Sequence, residues 1–337
     1  MAEGKGSLEN LALIMIQMSI FNKKKILVTG GAGFIGSWLV RELIGLGAQV
    51  TVFDLKTPSN LQRKPIFIKG DVRNLNLVKK IIKEKRPDLV FHLAAQTIVG
   101  EALKDPLLTL STNIEGTWKI LEASRASYRP KAVIVASSDK AYGDQPNIPY
   151  QENMPLMGLY PYDCSKSSAD LISRMYFKTY GLPVAVVRSA NVFGGGDPHF
   201  SRIIPDTIRR LLSNQNPVIR SDGKLERDYL YIKDAVRGYL VLAEAILKRK
   251  NVLGQAFNFG TNRPYSVREV VSVILDLMYK NNLKPIILNE AENEIKNQSL
   301  DFSKARKVLK WQPAYTLKDG LEETILWYTQ HLKAKKR

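Results

Sequence analysis

The stretch ILVTGGAGFIGSWLVREL, Ile26 to Leu43, decides the fold. A short apolar run closes on Gly30, glycines recur at Gly33 and Gly36, and a helical pattern of apolar positions follows. Glycines so spaced permit a tight turn, let the backbone approach a pyrophosphate and leave room for the helix to pack. The helix N-terminus adds amide donors and the positive end of its dipole. Spacing alone also fits an ordinary glycine-rich turn. The strand before and the helix after make Gly30, Gly33, Phe34, Ile35 and Gly36 candidate cofactor contacts.

The next apolar run, QVTVFD, ends on Asp54, about 20 residues beyond the glycines, where a carboxylate can accept from both ribose hydroxyls. It would repel a 2′-phosphate, so NAD is expected rather than NADP. Lys56 and Arg63 are the nearby residues that would speak for NADP, and a simple strand-end turn acid is the plain alternative. Farther on come PIFIKGD, a helix to Arg86, DLVFHLAA, a helix ending near Tyr128, KAVIVASS, a helix from Pro161 to Tyr180 and PVAVVRSA. That alternation predicts an α/β fold, a Rossmann-type doubly wound parallel sheet with crossover helices. After Asn191 come GGGDPHF, a helix, RDYLYIKD, QAFNFG and a helix from near Ser266. Shorter elements of this kind suit a smaller C-terminal α/β substrate-binding lobe across the carboxyl ends of the strands. The expected organisation is an N-terminal extension over 1–22 and an NAD-binding domain over 23–190 that also carries the serine and the tyrosine–lysine pair. Residues 191–333 form mainly the substrate-binding lobe, with some segments returning to the first domain.

With 337 residues, 45% of them hydrophobic, the chain can fill a core unaided. The single Cys164 excludes an intrachain disulfide framework, and with the scattered His92, His199 and His331 it makes no metal cluster. A reducing, cytoplasmic setting and no metal are expected. The net charge of +18 points to an anionic partner: nucleic acid, acidic lipid or a phosphorylated small molecule. Basic residues are spread along the chain, with short clusters only at Lys23–Lys25 and Lys333–Arg337, which speaks against nucleic acid. The apolar run LENLALIMIQMSIF, residues 8–21, is shorter and more interrupted than the ~20 residues of a membrane span. It lacks the basic flank and cleavage site of a signal peptide. It reads as an extension or an upstream start, with an amphipathic surface contact as the alternative.

Tyr162 and Lys166 in YDCSK are four residues apart on the expected helix and share a face, while Cys164 faces away. A nearby ammonium and a positive nicotinamide ring would favour phenolate and bring the tyrosine toward neutrality, so that Tyr162 can remove a hydroxyl proton. By itself the pattern also fits an exposed pair with no chemistry.

TGGAGFIG, HLAAQ, NIEGTWKILEA, SSDKAYG, YPYDCSK, RSANVFGGGD and RDYLYIKDAV occur in this order between about Lys25 and about Trp327. Together they resemble the extended short-chain dehydrogenase/reductase family that acts on sugar nucleotides. The resemblance implies that Ser138, Tyr162 and Lys166 form an oxidation centre, with Ser138 on the sugar C4 hydroxyl and Lys166 also on the nicotinamide ribose. It implies that Asp71 and Val72 flank adenine, that Leu93, Ala94 and Ala95 line the cofactor, and that Asn113 lies behind the site. Asn191 and Arg227 would contact the pyrophosphate of a nucleotide-sugar substrate, with Arg202, in the segment from His199 to Pro205, a further phosphate or base contact. Such a substrate accounts for an anionic partner without nucleic acid. A homodimer through two helices, one carrying Tyr162, is also implied. Trp311 and Pro313 resemble the family's C-terminal cap. The late arginine of many relatives has no clear counterpart in ILNEAENEIKNQSLD, Ile287 to Asp301, where Lys296 is the substitute to consider.

Within the family the reaction is set by the step after C4 oxidation. Loss of water across C5 and C6 needs an acid near the C6 hydroxyl and a base near the C5 hydrogen, roles that Asp139 and Lys140 in SSDKAYG can fill. Ser-Asp-Lys resembles the nucleotide-sugar 4,6-dehydratases of the CDP-glucose type, and Asp-Lys is also similar to inverting dehydratases of UDP-N-acetylglucosamine. Lysine as a base requires a depressed pKa, which burial, Lys166 and the nicotinamide favour and Asp139 opposes. The alternatives are a salt-bridged structural lysine in a 4-epimerase, for which Ser138, Tyr162 and Lys166 suffice, and a noncatalytic NAD-sensing or nucleic-acid-binding relative. The intact trio speaks against the last.

Overall fold

The computed structural model of the chain describes residues 20–57, 65–248, 250–290 and 294–334. Arg63, most of the N-terminal extension and the end of the basic tail lie outside the described residues. In chain order the first strands are β1 (Lys25–Thr29), β2 (Gln49–Asp54), β3 (Ile66–Lys69), β4 (Leu89–His92), β5 (Ala132–Ser138) and β6 (Val184–Ser189). They are followed by β7 (Asn191–Phe193), β8 (Val218–Ile219), β9 (Glu226–Tyr231), β10 (Ala256–Phe259), β11 (Pro264–Ser266) and β12 (Ile286–Ile287).

Seven strands form the central sheet in the order β10-β6-β5-β4-β1-β2-β3. β1 runs parallel to both β2 and β4, with Val28 opposite Val52 on one side and Phe91 on the other. Helices cover both faces of such a sheet, so its strands are apolar throughout rather than alternating, as all four buried residues of LVFH illustrate. Leu27, Phe53, Val90, Ile120, Leu121 and Val133 belong to one buried cluster. Each such side chain contributes roughly 1.5–3 kcal/mol on leaving water. Strand order reverses between β1 and β4, and the crevice at that switch point is where doubly wound sheets bind ligands. The glycine turn after β1 and the Leu93–Ala95 loop after β4 meet there.

Helix boundaries follow local chemistry. The Leu75–Lys85 helix starts where the Asn74 side chain accepts from Leu77 N at 3.0 Å, and stops where Arg86 turns left-handed at φ 44°. The Pro161–Tyr180 helix has the expected limits. Three features depart from the sequence reading. The helix expected to end near Tyr128 does so at Ala126, but Val99–Lys104 stands apart from it and residues 106–126 run through a π-turn over Ser111–Glu115. Asp105 and Pro106 break the run, because proline at a helix start cannot continue the preceding helix. The QAFNFG run, grouped with the later short elements, supplies β10 and joins the central sheet beside β6. The Ile232–Lys248 helix, unread behind the RDYLYIKD motif, passes Gly238, where a Cβ would come within 2.7 Å of the Phe259 ring.

The chain divides into two compact units. One comprises the described residues up to Ala136 with Ser168–Val186 and Tyr239–Ala256. The other comprises Ser137–Ser167, Val187–Gly238 and the described residues from Phe257 onward. In the second unit β11, β9 and β7 form a small sheet. Its late segments hang on two buried aspartates. Asp228 accepts from Thr261 N, Asn262 N and Leu300 N, and Asp234 accepts from Ala314 N and Tyr315 N. Trp311 is fully buried, donates to Asp234 O at 3.2 Å and meets the Phe259 ring edge-on.

Candidate active site

In the first unit the three glycines serve three distinct needs. Gly30 sits at φ +70°, and a Cβ there would lie 2.6 Å from Ala94 N. A Cβ on Gly36 would lie 2.1 Å from Gly30 O, so glycine lets the Phe34–Gly45 helix pack onto the turn. Gly33 has a single neighbour, Gly30 O at 3.3 Å, and its position is otherwise open. It caps the helix without a side-chain hydrogen bond, and no acid occupies the first turn. Such an N-terminus, with amides and a dipole uncompensated by a side chain, fits a pyrophosphate. Asp54 is half-buried; its Oδ2 accepts from Ala32 N at 2.9 Å and its Oδ1 from Lys56 N at 3.1 Å, so the acid braces the turn as well as ending β2. These residues fit NAD: the open glycine leaves room for a diphosphate and the acid has lone pairs left for a ribose.

Asn113, on the π-turn, accepts from Gln96 N at 2.8 Å and donates to Gln96 O at 3.0 Å, which fixes the loop that carries Leu93, Ala94 and Ala95. Asp71 pairs with Arg73 at 2.6 Å, and the guanidinium holds its carboxyl below the usual range. Val72 is buried against the position of Gly116. His92 bridges Thr29 and Thr117, a structural role, and the described residues contain no cluster of metal-ligating side chains.

The second unit gathers the SSDKAYG stretch and the tyrosine–lysine pair. β5 delivers the chain to Ser138 in extended conformation, the Asp139–Tyr142 turn comes next, and Gly143 at φ +70° ends it. A Cβ on Gly143 would meet Met157 O at 2.2 Å. Ser138 Oγ donates to Asp139 Oδ1 at 2.8 Å and accepts from Lys140 N at 3.2 Å. The Ser138 hydroxyl is near enough to the Tyr162 phenol to help lower its pKa. One helical turn on, Lys166 Nζ lies 5.9 Å from the centre of the Tyr162 ring. Asp139 is 1% exposed, Lys166 5%, and Ser138 and Tyr162 9% each, so these charges act in a low dielectric. The five residues singled out for chemistry therefore form one cluster, and Cys164 takes no part in it.

Burial rather than spacing sets the electrostatics. It pushes Lys166 down to about 8. It also pushes Lys140 down, against the pull of Asp139; Arg227 helps lower it, while Asp163 and Glu294 oppose. Together, the chain's own groups act on Tyr162 in the opposite sense from a bound cation. Burial pushes the phenol up to about 12, with Asp139 and Asp163 adding to the rise, while Arg202 and the Ser138 hydroxyl only partly offset it. A lysine one turn away does not compensate a phenol withdrawn from water. Asp163, unremarked between Tyr162 and Cys164, is pushed up to about 6 by burial, with Lys140 opposing.

The residues assigned to substrate lie in the same unit. Asn191 heads β7, opposite Tyr229 of β9. Arg202 pairs with Asp197 at 2.8 Å at the start of the Ile203–Leu212 helix. Arg227 is held on three sides, by Glu226 O at 2.9 Å, Lys296 O at 3.0 Å and the Glu294 carboxylate at 2.9 Å. Lys296 is exposed and brings its carbonyl, not its ammonium, to that guanidinium. Sequence reasoning missed Gln298, fully buried, whose Oε1 accepts from Lys140 Nζ. A lone amide with no motif around it, 158 positions from its partner, leaves no signal in the sequence.

Comparison with known proteins agrees with this geometry. Residues 26–260 match the family model described as the NAD dependent epimerase/dehydratase family. The chain is similar to the CDP-glucose 4,6-dehydratase of Salmonella typhimurium, at 31% identity over 93% of each chain. It is similar at 33% identity to the putative UDP-glucose 4-epimerase of Methanocaldococcus jannaschii, covering 90% of this chain and 97% of that one. Among solved structures, the epimerase Mth375 of Methanothermobacter thermautotrophicus superposes with a TM-score of 0.88 at 28% identity, covering 96% of this chain and 97% of the other. From the glycine turn to β10, fold and sequence place this chain in the NAD dependent epimerase/dehydratase family, a family of NAD-using enzymes.

Proposed function

We propose that the protein is a nucleotide-sugar 4,6-dehydratase, converting an NDP-hexose to an NDP-4-keto-6-deoxyhexose. The observation that carries this reading is the Asp139–Lys140 pair, the acid buried and the lysine half-buried. Ser138, Tyr162 and Lys166 suffice to oxidise and reduce C4, whereas a carboxyl and a depressed amine beside them are what elimination needs in addition. When bound, NAD would supply the hydride chemistry, as acceptor at C4 and donor at C6. Tyr162, beside Ser138, takes the C4 hydroxyl proton. Lys140 in its neutral form takes the C5 proton, made acidic by the C4 ketone, and Asp139 gives a proton to the departing C6 hydroxyl, which leaves as water. Asp139 is built for that division: Oδ1 holds Ser138, while Oδ2 is buried with no partner among the described residues. Gly30, Gly33, Phe34, Ile35, Gly36, Asp54, Asp71, Val72, Leu93, Ala94, Ala95 and Asn113 serve the cofactor in this reading, with Asn191, Arg202 and Arg227 on the substrate diphosphate.

A homodimer in a reducing, cytoplasmic setting completes the proposal. Leu171 and Met175, exposed one turn apart on the Pro161–Tyr180 helix, support the dimer, and the single Cys164 supports the setting.

A second reading, a 4-epimerase, is favoured by the 33% identity to the Methanocaldococcus protein; in it Asp139 and Lys140 are a local loop pair. Incubation with CDP-, dTDP-, UDP- and GDP-activated hexoses, read by mass spectrometry, separates the two. A dehydratase product lacks one water. An isomer of unchanged mass from any of these substrates, with no dehydrated product, overturns the first reading.

A further inference from the structure

The Lys140 side chain is anchored by a residue that no motif announces. Gln298 is 0% exposed, its Oε1 accepts from Lys140 Nζ, and its Nε2 is buried with no partner among the described residues. Leaving an amide donor unpaired inside a protein is costly, so its placement calls for a reason. The segment that carries it is firmly held. Tyr150 N donates to Ser299 O at 2.7 Å, Gln298 N donates to Glu226 O at 3.1 Å, and Leu300 N donates to Asp228.

We propose that Gln298 is a positioning residue for elimination: its carbonyl holds the Lys140 amine with the lone pair turned to the C5 hydrogen. The proposal rests on the dehydratase reading. An amine that donates one N–H to a neutral acceptor keeps its lone pair for a proton. A carboxylate in the same place would form an ion pair and hold the amine protonated. The groups facing Lys140 pull both ways: Asp139, Asp163 and Glu294, where ionised, favour the ammonium, and Arg227 opposes it. A neutral amide fixes the nitrogen without adding to either side.

The test measures deuterium incorporation from solvent at C5 and, separately, NADH appearance in a single turnover. Gln298→Glu raises the Lys140 pKa, so the acid limb of the exchange profile moves upward by about one pH unit or more, and exchange at neutral pH falls about tenfold. Gln298→Met, similar in volume and neutral, lowers exchange at every pH without moving the limb. Both variants keep C4 oxidation. An unmoved limb in Gln298→Glu, wild-type exchange in Gln298→Met, or loss of oxidation in both variants overturns the proposal. If Gln298→Glu alone loses oxidation, Gln298→Met decides. Lys140→Met in the same assay separates this idea from its foundation. Full exchange there removes the lysine base itself, whereas full exchange in Gln298→Met beside a dead Lys140→Met removes only the role of Gln298.

Discussion

The glycine turn after β1 and the cluster around Ser138 owe their chemistry to opposite causes. The turn is a matter of backbone and space: Gly30 and Gly36 are glycine because a Cβ would strike Ala94 N or Gly30 O. The cluster is a matter of burial, because withdrawal from water moves Lys166 to about 8, Tyr162 to about 12 and Asp163 to about 6. A steric device fails when atoms are added. An electrostatic one fails when a charge or a proton is removed, with the shape left alone.

The sharpest break in the second kind comes from Tyr162→Phe, which deletes one oxygen and keeps the ring. The chain's own residues leave Tyr162 protonated at neutral pH, so its oxygen works only when further positive charge favours the phenolate. Loss of that oxygen lowers NADH formation from the nucleotide-sugar roughly 10²–10⁴-fold, with the thermal midpoint little changed. Oxidation at the wild-type rate would remove Tyr162 from the reaction and leave its burial a packing feature.

The turn breaks under the opposite treatment. In Gly36→Ala the new Cβ meets the Gly30 carbonyl at 2.1 Å, backbone against backbone, and neither side can swing away. Destabilisation of roughly 1–3 kcal/mol is expected by thermal or urea unfolding, together with weak NAD binding. Gly33→Ala sharpens the contrast, since its nearest neighbour is 3.3 Å away and its φ is an ordinary −75°. The variant changes stability by less than about 1 kcal/mol yet weakens NAD, because the methyl group fills the open side of the cap. Unchanged affinity in Gly33→Ala, by titration calorimetry, would mean that the open glycine is not where the diphosphate lies.

The same division explains what the sequence reveals. β1, β2, β4 and the Pro161–Tyr180 helix are legible because apolar periodicity and glycine spacing are local, and the residues that make them are neighbours. The gathering of Ser138, Asp139, Lys140, Tyr162 and Lys166 is legible only through ordered motifs. The rise in the Tyr162 pKa is not, because the desolvation that causes it comes from residues packed around the ring and not from the helix that carries it. The membership of β10 in the central sheet is hidden for a related reason. AFNF is buried at all four positions, and a run without alternation does not say which sheet it joins. Gln298 and Asp163 acquire meaning only from the fold, one across 158 positions and the other through enclosure beside Lys140.

Asp163 gives the most direct measure of how far burial governs the cluster. Its carboxyl is raised from an ordinary 3.8 to about 6, with desolvation as the leading cause. Between those values the native protein holds a proton that the unfolded chain has released, so stability falls as pH rises through that window and the full cost is present at pH 7. Asp163→Asn removes the titration and keeps the shape. It should therefore be more stable than wild type at pH 7, by roughly 1–3 kcal/mol, with the advantage shrinking to nothing as pH falls below about 4. Urea unfolding at several pH values reads this directly. If Asp163→Asn is instead less stable at pH 7, attraction to Lys140 outweighs desolvation, and the cluster is held by ion pairing more than it is strained by burial.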